Sequence, residues 1–262
     1  MRIEQPRVPG VILANSTQRR ASMLPVIKGL IALRVMINYA VDPEIAQRLL
    51  PSPFRPKLVK GRAIAGVCLI RMKEMRVKGM PKLLGLSSKN IAYRIAVEWE
   101  EDGVTREGVY VPRRDNSSFI NNITNGRIFP GRNQDAYFHF EEVGDRYLVD
   151  IISTDNTSLS IDARVINGLP DGSVFDSVEQ ASLFFRSGSI GYSRTGDKMV
   201  GLEFRPDNWE PKFIAPKTLR SSFFEDTDLF PEGTIKFDNA LVLHDIEHEW
   251  HDTGDIRPCP VG

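Results

Sequence analysis

The chain has 262 residues, and its 34 Lys+Arg balance 34 Asp+Glu, so the formal charge near neutral pH is zero. Binding to nucleic acid needs a clustered excess of Lys and Arg to neutralise phosphates, and none is present, so no nucleic-acid partner is expected. The most apolar early stretch, 23–41, carries Lys28, Arg34 and Asn38. A charge at mid-bilayer costs about 2.5–3.5 kcal/mol, so this stretch is no membrane span and no membrane partner is expected.

The first residues are polar, with no apolar run behind a basic start, so no secretory signal is read. The two cysteines are Cys68, in an apolar run, and Cys259, in a Pro-rich tail. Cys68 reads as a small buried hydrophobe, and nothing suggests a disulfide framework. A cytoplasmic location is expected.

Seventeen prolines and twenty glycines cut the sequence into short segments, which favours strands and turns over long helices. Residues 1–22 read as an extended arm, 23–255 as a single domain and 256–262 as a tail. Leu30–Ala40 is a strand. Asp42-Pro43-Glu44 starts a two-turn helix that stops before Pro51, with Asp as N-cap and Pro at the first position. Strands follow at Ala63–Met72 and Asn90–Glu100. In the second, Ile91, Tyr93, Ile95 and Val97 alternate with Asn90, Arg94, Glu98 and Glu100. Glu101-Asp102-Gly103 turns into a return strand over 107–111. A second hairpin joins Ala136–Glu142 to Arg146–Ser153, and Leu159–Ile166 continues the meander. Asp176, with Glu179 three residues on, starts a helix to about Phe185. Further strands fall at 200–205, 217–224 and 234–250. The sum is an α+β chain, mostly antiparallel β, of eight to ten strands and two or three short helices.

Three constellations could carry chemistry. His244, His248 and His251 fall within eight residues. On a helix they would share a metal-ligating face, but Ala240–Leu243 favours a strand. There His244 and His248 would share a face with Val242, Ile246 and Trp250, and a carboxylate from elsewhere could complete a metal site. A half-exposed structural strand is the plainer reading. Lys82, in Gly79-Met80-Pro81-Lys82-Leu83, has apolar neighbours and several nearby cations, Lys89 among them. That environment lowers a lysine pKa toward Schiff-base chemistry, although most such lysines are simply solvated. Arg113-Arg114-Asp115 ends a strand, and Arg127 and Arg132 flank residues 128–131; arginine at strand ends suits bidentate capture of a carboxylate or ordinary ion pairing. No Gly-rich phosphate loop, nucleophile elbow, CxxC or HExxH motif occurs, and no cofactor is expected. Such a sheet-rich chain suits an apolar pocket with one or two anchoring charges.

Several segments resemble the acetoacetate decarboxylase-like superfamily, and its branch of domain-of-unknown-function proteins in particular. Ile37-Asn38-Tyr39-Ala40-Val41-Asp42-Pro43-Glu44 followed by Leu49-Leu50-Pro51 looks like the family's strand, short helix and proline stop. Met80-Pro81-Lys82 through Asn90-Ile91-Ala92-Tyr93-Arg94, and Gly108-Val109-Tyr110-Val111, resemble the loop and strands that follow. The resemblance spans about residues 30–165 and more weakly 176–250. It implies a cone- or barrel-like antiparallel sheet around a central pocket. In the decarboxylases a Pro-Lys-Lys motif follows Gly-Arg-Glu. The stretch read as corresponding keeps Gly126 and Arg127, but has Ile128 for the acid and Gln134 and Asp135 near the lysines. Ser88-Lys89 stands where an upstream acid would be.

The resemblance therefore implies a pocket without its iminium-forming lysine. Arg34, Arg113, Arg127, Tyr93 and Tyr110 are expected to bind a small organic ligand such as a carboxylate. The leading reading is a small-molecule-binding protein or an enzyme of another kind. A keto-acid enzyme with Lys82 or Lys89 as relocated nucleophile and a metal enzyme built on His244 and His248 are the alternatives. Exposed strand edges would suit a homo-oligomer.

Overall fold

The computed structural model describes residues 25–117, 131 and 133–256. The arm at 1–22, Gly126, Arg127, Arg132 and Cys259 lie outside these residues. The long strands are β1 (Ile27–Val41), β4 (Arg62–Val77), β5 (Leu86–Glu101), β6 (Val104–Asn116) and β13 (Ile235–Ile256). β1 is an almost unbroken apolar run because both of its faces are covered, the pattern of a strand buried on two sides. β2 (Arg55–Pro56) and β3 (Leu58–Val59) are two-residue edges. The turn between β5 and β6 is the pair Asp102-Gly103, both with positive φ, as a tight hairpin on twisted strands requires.

The remaining strands are β7 (Asn133–Val143), β8 (Arg146–Ser153), β9 (Ser158–Val165), β10 (Ile190–Thr195), β11 (Lys198–Pro206) and β12 (Lys212–Ser221). Among the described residues the sheet has 13 strands, more than the eight to ten expected. The extra ones, β2, β3 and β10, are too short to show a period. β12 lies upstream of the expected 217–224, and residues 222–224 form a turn. Two helices accompany the sheet, α1 (Pro43–Arg48) and α2 (Val178–Ser187). Ser177 rather than Asp176 caps α2, its hydroxyl accepting from the Gln180 amide. No helix among the described residues is long and apolar enough to cross a membrane.

The strand pairings close on themselves. One circuit runs β6-β7-β8-β9-β12-β13-β1-β4-β5 and back to β6, and a smaller one runs β13-β1-β4-β5-β6-β10-β11 and back to β13. The two share β13, β1, β4, β5 and β6. On one face of the shared strands Val35, Ile37, Val67, Leu69, Tyr93 and Val242 join the main core with Val149, Ile161 and Ile214. On the other face Met36, Ile70, Ala96, Leu241 and Leu243 pack with Phe204 and with Ala181 and Phe185 of α2.

Irregular pairing decides which side chain reaches which face. Tyr93 pairs with Arg113 and Ile95 with Tyr110, so β6 carries one extra residue here. Arg113 and Arg114 point to opposite faces by alternation, and the bulge ahead of them puts Arg114 rather than Arg113 on the face of Val109 and Val111. In β13, Asp245 adopts φ +49°, and the strand parity flips across it. Val242 belongs to the main core, whereas Ile246 lies in the second cluster with Leu241 and Leu243.

Gly66 of β4 lies directly between Asn38 of β1 and Arg94 of β5. Two strand spacings of about 4.8 Å separate those residues, a gap that only a long side chain spans. Arg94 spans it over the bare glycine to reach the Asn38 side-chain carbonyl. A Cβ at Gly66 would lie 2.2 Å from the Ile37 carbonyl oxygen. Gly66→Ala is therefore expected to lower stability by about 1–3 kcal/mol. Urea denaturation should show a lower midpoint at unchanged slope, and an unshifted midpoint would refute the close fit.

Candidate functional site

Arg34 and Met36 of β1, Cys68 and Ile70 of β4, Ala92, Arg94 and Ala96 of β5, and Val109, Val111 and Arg114 of β6 line one cavity. Gly191 of β10, Phe204 of β11 and Trp250 of β13 complete it, so every strand of the smaller circuit contributes. Phe184, Phe185 and Ser187 of α2 close it from above. The cavity holds about 80 Å³. One water needs about 10–15 Å³ by this measure, so there is room for a small organic molecule.

Its charges are unequal. Arg34, Lys57, Arg94 and Arg114 line it, against the single carboxylate of Glu107. Lys57 holds Glu107 in a short ion pair, and its ammonium also donates to the Ser187 hydroxyl at 3.2 Å. Glu107 is thereby committed to the lysine. No described carboxylate lies within ion-pair distance of Arg34 or Arg94. Arg34 donates from Nε to the Cys68 sulfur at 3.2 Å and lies over the rings of Phe204 (4.9 Å) and Trp209 (5.4 Å).

Arg94 is only 6% exposed. It donates to Asn38, stacks 5.5 Å from the Phe185 ring, and leaves Nε without a partner. Burial pushes the guanidinium pKa of both Arg94 and Arg114 down to about 10, which still leaves them cationic at neutral pH. A buried charge without a counter-charge costs several kcal/mol, and a cation–π contact returns at most about 2 kcal/mol of it. An anion in the cavity would supply the missing counter-charge.

Of the described residues singled out by sequence as binding or catalytic, Arg34 and Arg114 line this cavity. Arg113 lies on the opposite face, over the Tyr93 ring at 5.7 Å. Its guanidinium is used up by Asp115 (Nε–Oδ1 2.9 Å) and Asp155 (Nη1–Oδ2 2.7 Å), and Ser153 donates to Asp115 at 2.6 Å. Burial raises the Asp115 pKa, whereas the Arg113 hydrogen bonds hold Asp155 low. Tyr93 and Tyr110 belong to the main core rather than to the cavity, because alternation with Ala92 and Arg94 and with Val109 and Val111 turns them away.

Lys82 is exposed and ion-paired with Glu74 at 3.4 Å and Glu247 at 3.8 Å. Lys89 donates to the Phe138 carbonyl at 3.1 Å, in a separate open groove. Neither lysine reaches the cavity.

The shared face expected of His244 and His248 is corrected by the parity flip at Asp245. His244 faces Tyr147 and pairs with Glu142 at 2.9 Å, while His248 packs on Phe204 and Trp250 on the other face. The sheet itself separates them. No group of three or more His, Cys, Asp or Glu among the described residues could hold a metal ion.

Sequence reading missed Lys57, Cys68 and Arg94 as cavity residues. For Arg94 a signal existed. The nominally polar face of β5 reads Asn90, Ala92, Arg94, Ala96, and two alanines on it mark a covered face rather than a solvated one. Cys68 is half-buried and opens on the cavity, so it is not the fully buried hydrophobe expected.

Residues 32–219 match DUF2071, a family described as an uncharacterized conserved protein. The chain belongs to that family. No functionally curated protein matches it. The fold of this DUF2071 chain is similar to acetoacetate decarboxylase from Legionella pneumophila, with TM-score 0.57 and 11% identity over 96% of this chain and 92% of that one. It is also similar to an acetoacetate decarboxylase-like enzyme from Sphingomonas wittichii RW1, with TM-score 0.56 and 11% identity over 88% and 92%. The enduracididine biosynthesis enzyme MppR complexed with pyruvate gives TM-score 0.54 and 13% identity over 90% and 92%. The acetoacetate decarboxylase-like architecture expected from the sequence is thus present in this DUF2071 member.

His248, against the Phe204 and Trp250 walls, gives a pH test of the packing. Burial lowers its pKa from 6.5 to about 4. Between those values the unfolded chain binds a proton that the folded chain does not, so stability falls as pH is lowered through that window. The loss approaches about 3 kcal/mol at its lower end. Replacing His248 with Gln should flatten this part of the pH profile in urea denaturation. An unchanged slope would show that the ring charges freely.

Proposed function

We propose that this protein binds a small organic carboxylate in the Arg34–Arg94–Arg114 cavity and acts on it, if at all, without a lysine iminium. The observation that carries this reading is the buried, uncompensated Arg94 guanidinium in a cavity with four cations and one committed acid. Arginine's planar fork matches a carboxylate bidentately, and the aromatic walls suit a ligand with an apolar body. MppR, a neighbour in fold, is complexed with pyruvate, a carboxylate of the size this cavity would take.

The lysine count supports the second half of the proposal. Residues 90–197 contain no lysine, so the strands from β6 to β10 and every segment between them lack the nucleophile, and in β5 the one lysine, Lys89, stays outside the cavity. Of the chain's lysines, Lys57 lines the cavity, and its ammonium is held by Glu107. Incubation with acetoacetate and borohydride should therefore leave the protein mass unchanged. A reduced adduct, on Lys57 above all, would overturn the iminium-free reading.

Binding is tested by calorimetry with pyruvate, acetoacetate and longer 2-oxo acids against their amides. Acids are expected to bind and amides not. Arg94→Met should weaken binding by about 2–5 kcal/mol, roughly thirtyfold to several thousandfold. The ligand-free variant should unfold no earlier than the parent, because an uncompensated buried charge has been removed. A variant that is strongly destabilised but still binds acids would assign Arg94 to structure instead.

A further inference from the structure

Within that anion-binding reading, on which this inference rests, one nucleophilic atom stands beside the arginines. Cys68 Sγ opens on the cavity and lies 3.2 Å from Arg34 Nε. It is a free thiol, half-buried, with no disulfide partner among the described residues. Arg34 spends one of its five N–H donors on the sulfur and keeps the rest for a ligand. Arg94, nine-tenths buried and with an unpartnered Nε, faces the same space from the next strand, Ala92 being the direct partner of Cys68 in β5.

We propose that Cys68 is a nucleophile of this cavity, attacking an electrophilic carbon on a ligand whose carboxylate is held by Arg34 and Arg94. The argument is one of position. A carboxylate seated on the free donors of Arg34 brings its neighbouring carbons alongside the sulfur to which the same guanidinium donates. Holding a reactant against a catalytic group in this way converts a bimolecular encounter into an internal step. The ligand class follows from the chemistry available: short acids with an electrophilic carbon near the carboxylate, such as α,β-unsaturated acids.

With an unsaturated acid, the S–C bond forms at the β carbon and the π pair moves to the α carbon. That carbon takes up the proton lost by the thiol, and no oxidant or reductant is needed. With a 2-halo acid, the S–C bond forms as the carbon–halogen bond breaks. The halide leaves with the electron pair, and the thiol proton passes to solvent.

Iodoacetate and iodoacetamide separate this proposal from mere thiol exposure, since they differ in the carboxylate that the arginines would hold. Alkylation rates are read by peptide mass spectrometry at Cys68 and, in the same molecules, at Cys259. The two reagents are used on the intact chain near neutral pH. Iodoacetate is expected to label Cys68 faster than iodoacetamide by on the order of tenfold, the low end of what a cleft of one charge sign achieves. Cys259 should show no such preference.

Arg34→Met should abolish the preference at Cys68 while leaving labelling by iodoacetamide within about twofold, which also reports that the cavity still forms. Equal or slower labelling of Cys68 by iodoacetate in the parent would overturn the proposal. So would a preference that survives in Arg34→Met. The underlying reading is scored separately, by calorimetry of pyruvate and acetoacetate with Cys68→Ser. Acid binding there without any iodoacetate preference in the parent would sink the nucleophile and leave the anion site standing. Absence of acid binding would sink the site itself.

Discussion

The interaction on which the cavity depends is the burial of the Arg94 guanidinium without a carboxylate. Such a group is costly, and the fold holds it by a closed chain of contacts rather than by a counter-charge. Arg94 donates to Asn38, Asn38 donates to Asn239, and Asn239 donates to Asp238. Asp238 in turn accepts from the Ser173 hydroxyl and the Val174 amide, fixing the segment that leads into α2. Phe175 of that segment packs on Phe185, and Phe185 lies over Arg94. The polar row across the sheet and the aromatic lid above it therefore end on the same guanidinium. A chain arranged in this way has placed the charge where it is and keeps it there. Structures retain an expensive buried charge where it acts on something, because an apolar residue of similar volume would be equally or more stable.

The second constraint is parity. A strand alternates its side chains between faces, so one inserted residue or one left-handed residue exchanges the faces of everything beyond it. Arg113 and Arg114, being adjacent, face opposite ways, and the bulge in β6 decides that Arg114 rather than Arg113 enters the cavity. The Arg113 that sequence reading favoured becomes the centre of an ion-pair cluster with Asp115 and Asp155 that engages all three of its guanidinium nitrogens. Asp245 does the same to the histidines of β13. These two local irregularities, more than any motif, decide which charged groups can act together.

The long, strongly patterned elements were legible in the sequence. β1, β4, β5, the two hairpins and α1 follow from apolar runs, Asp-Gly and Gly-Asp turns and the Asp42-Pro43 start, all of them local signals. The α+β acetoacetate decarboxylase-like architecture followed from their order. The cavity was not legible, for a physical reason. Its members come from seven strands and a helix far apart in sequence, and each side chain is ambiguous alone. Arg34 was reached because it interrupts an apolar run. Arg94 was assigned to solvent because Glu98 and Glu100 share its period, although the far end of the same face is buried. Lys82 looked like a nucleophile because its neighbours in sequence are apolar, but those neighbours are themselves exposed: Leu83 is 94% accessible. Apolar sequence context is not an apolar environment until the fold covers it.

The comparison with the decarboxylase-like folds sharpens what the interior does. A cavity rich in cations is the environment that activates a lysine, since neighbouring positive charge favours the neutral amine. Here Lys57 is held by Glu107, and the other cations of the lining are arginines, which cannot serve as imine-forming amines. A shared architecture at 11–14% identity is a shared fold, and the chemistry is decided by the side chains placed in it. In this cavity the acid among the described residues sits next to the lysine, where Glu107 holds the Lys57 ammonium, while Arg34 and Arg94 have no described carboxylate within ion-pair distance.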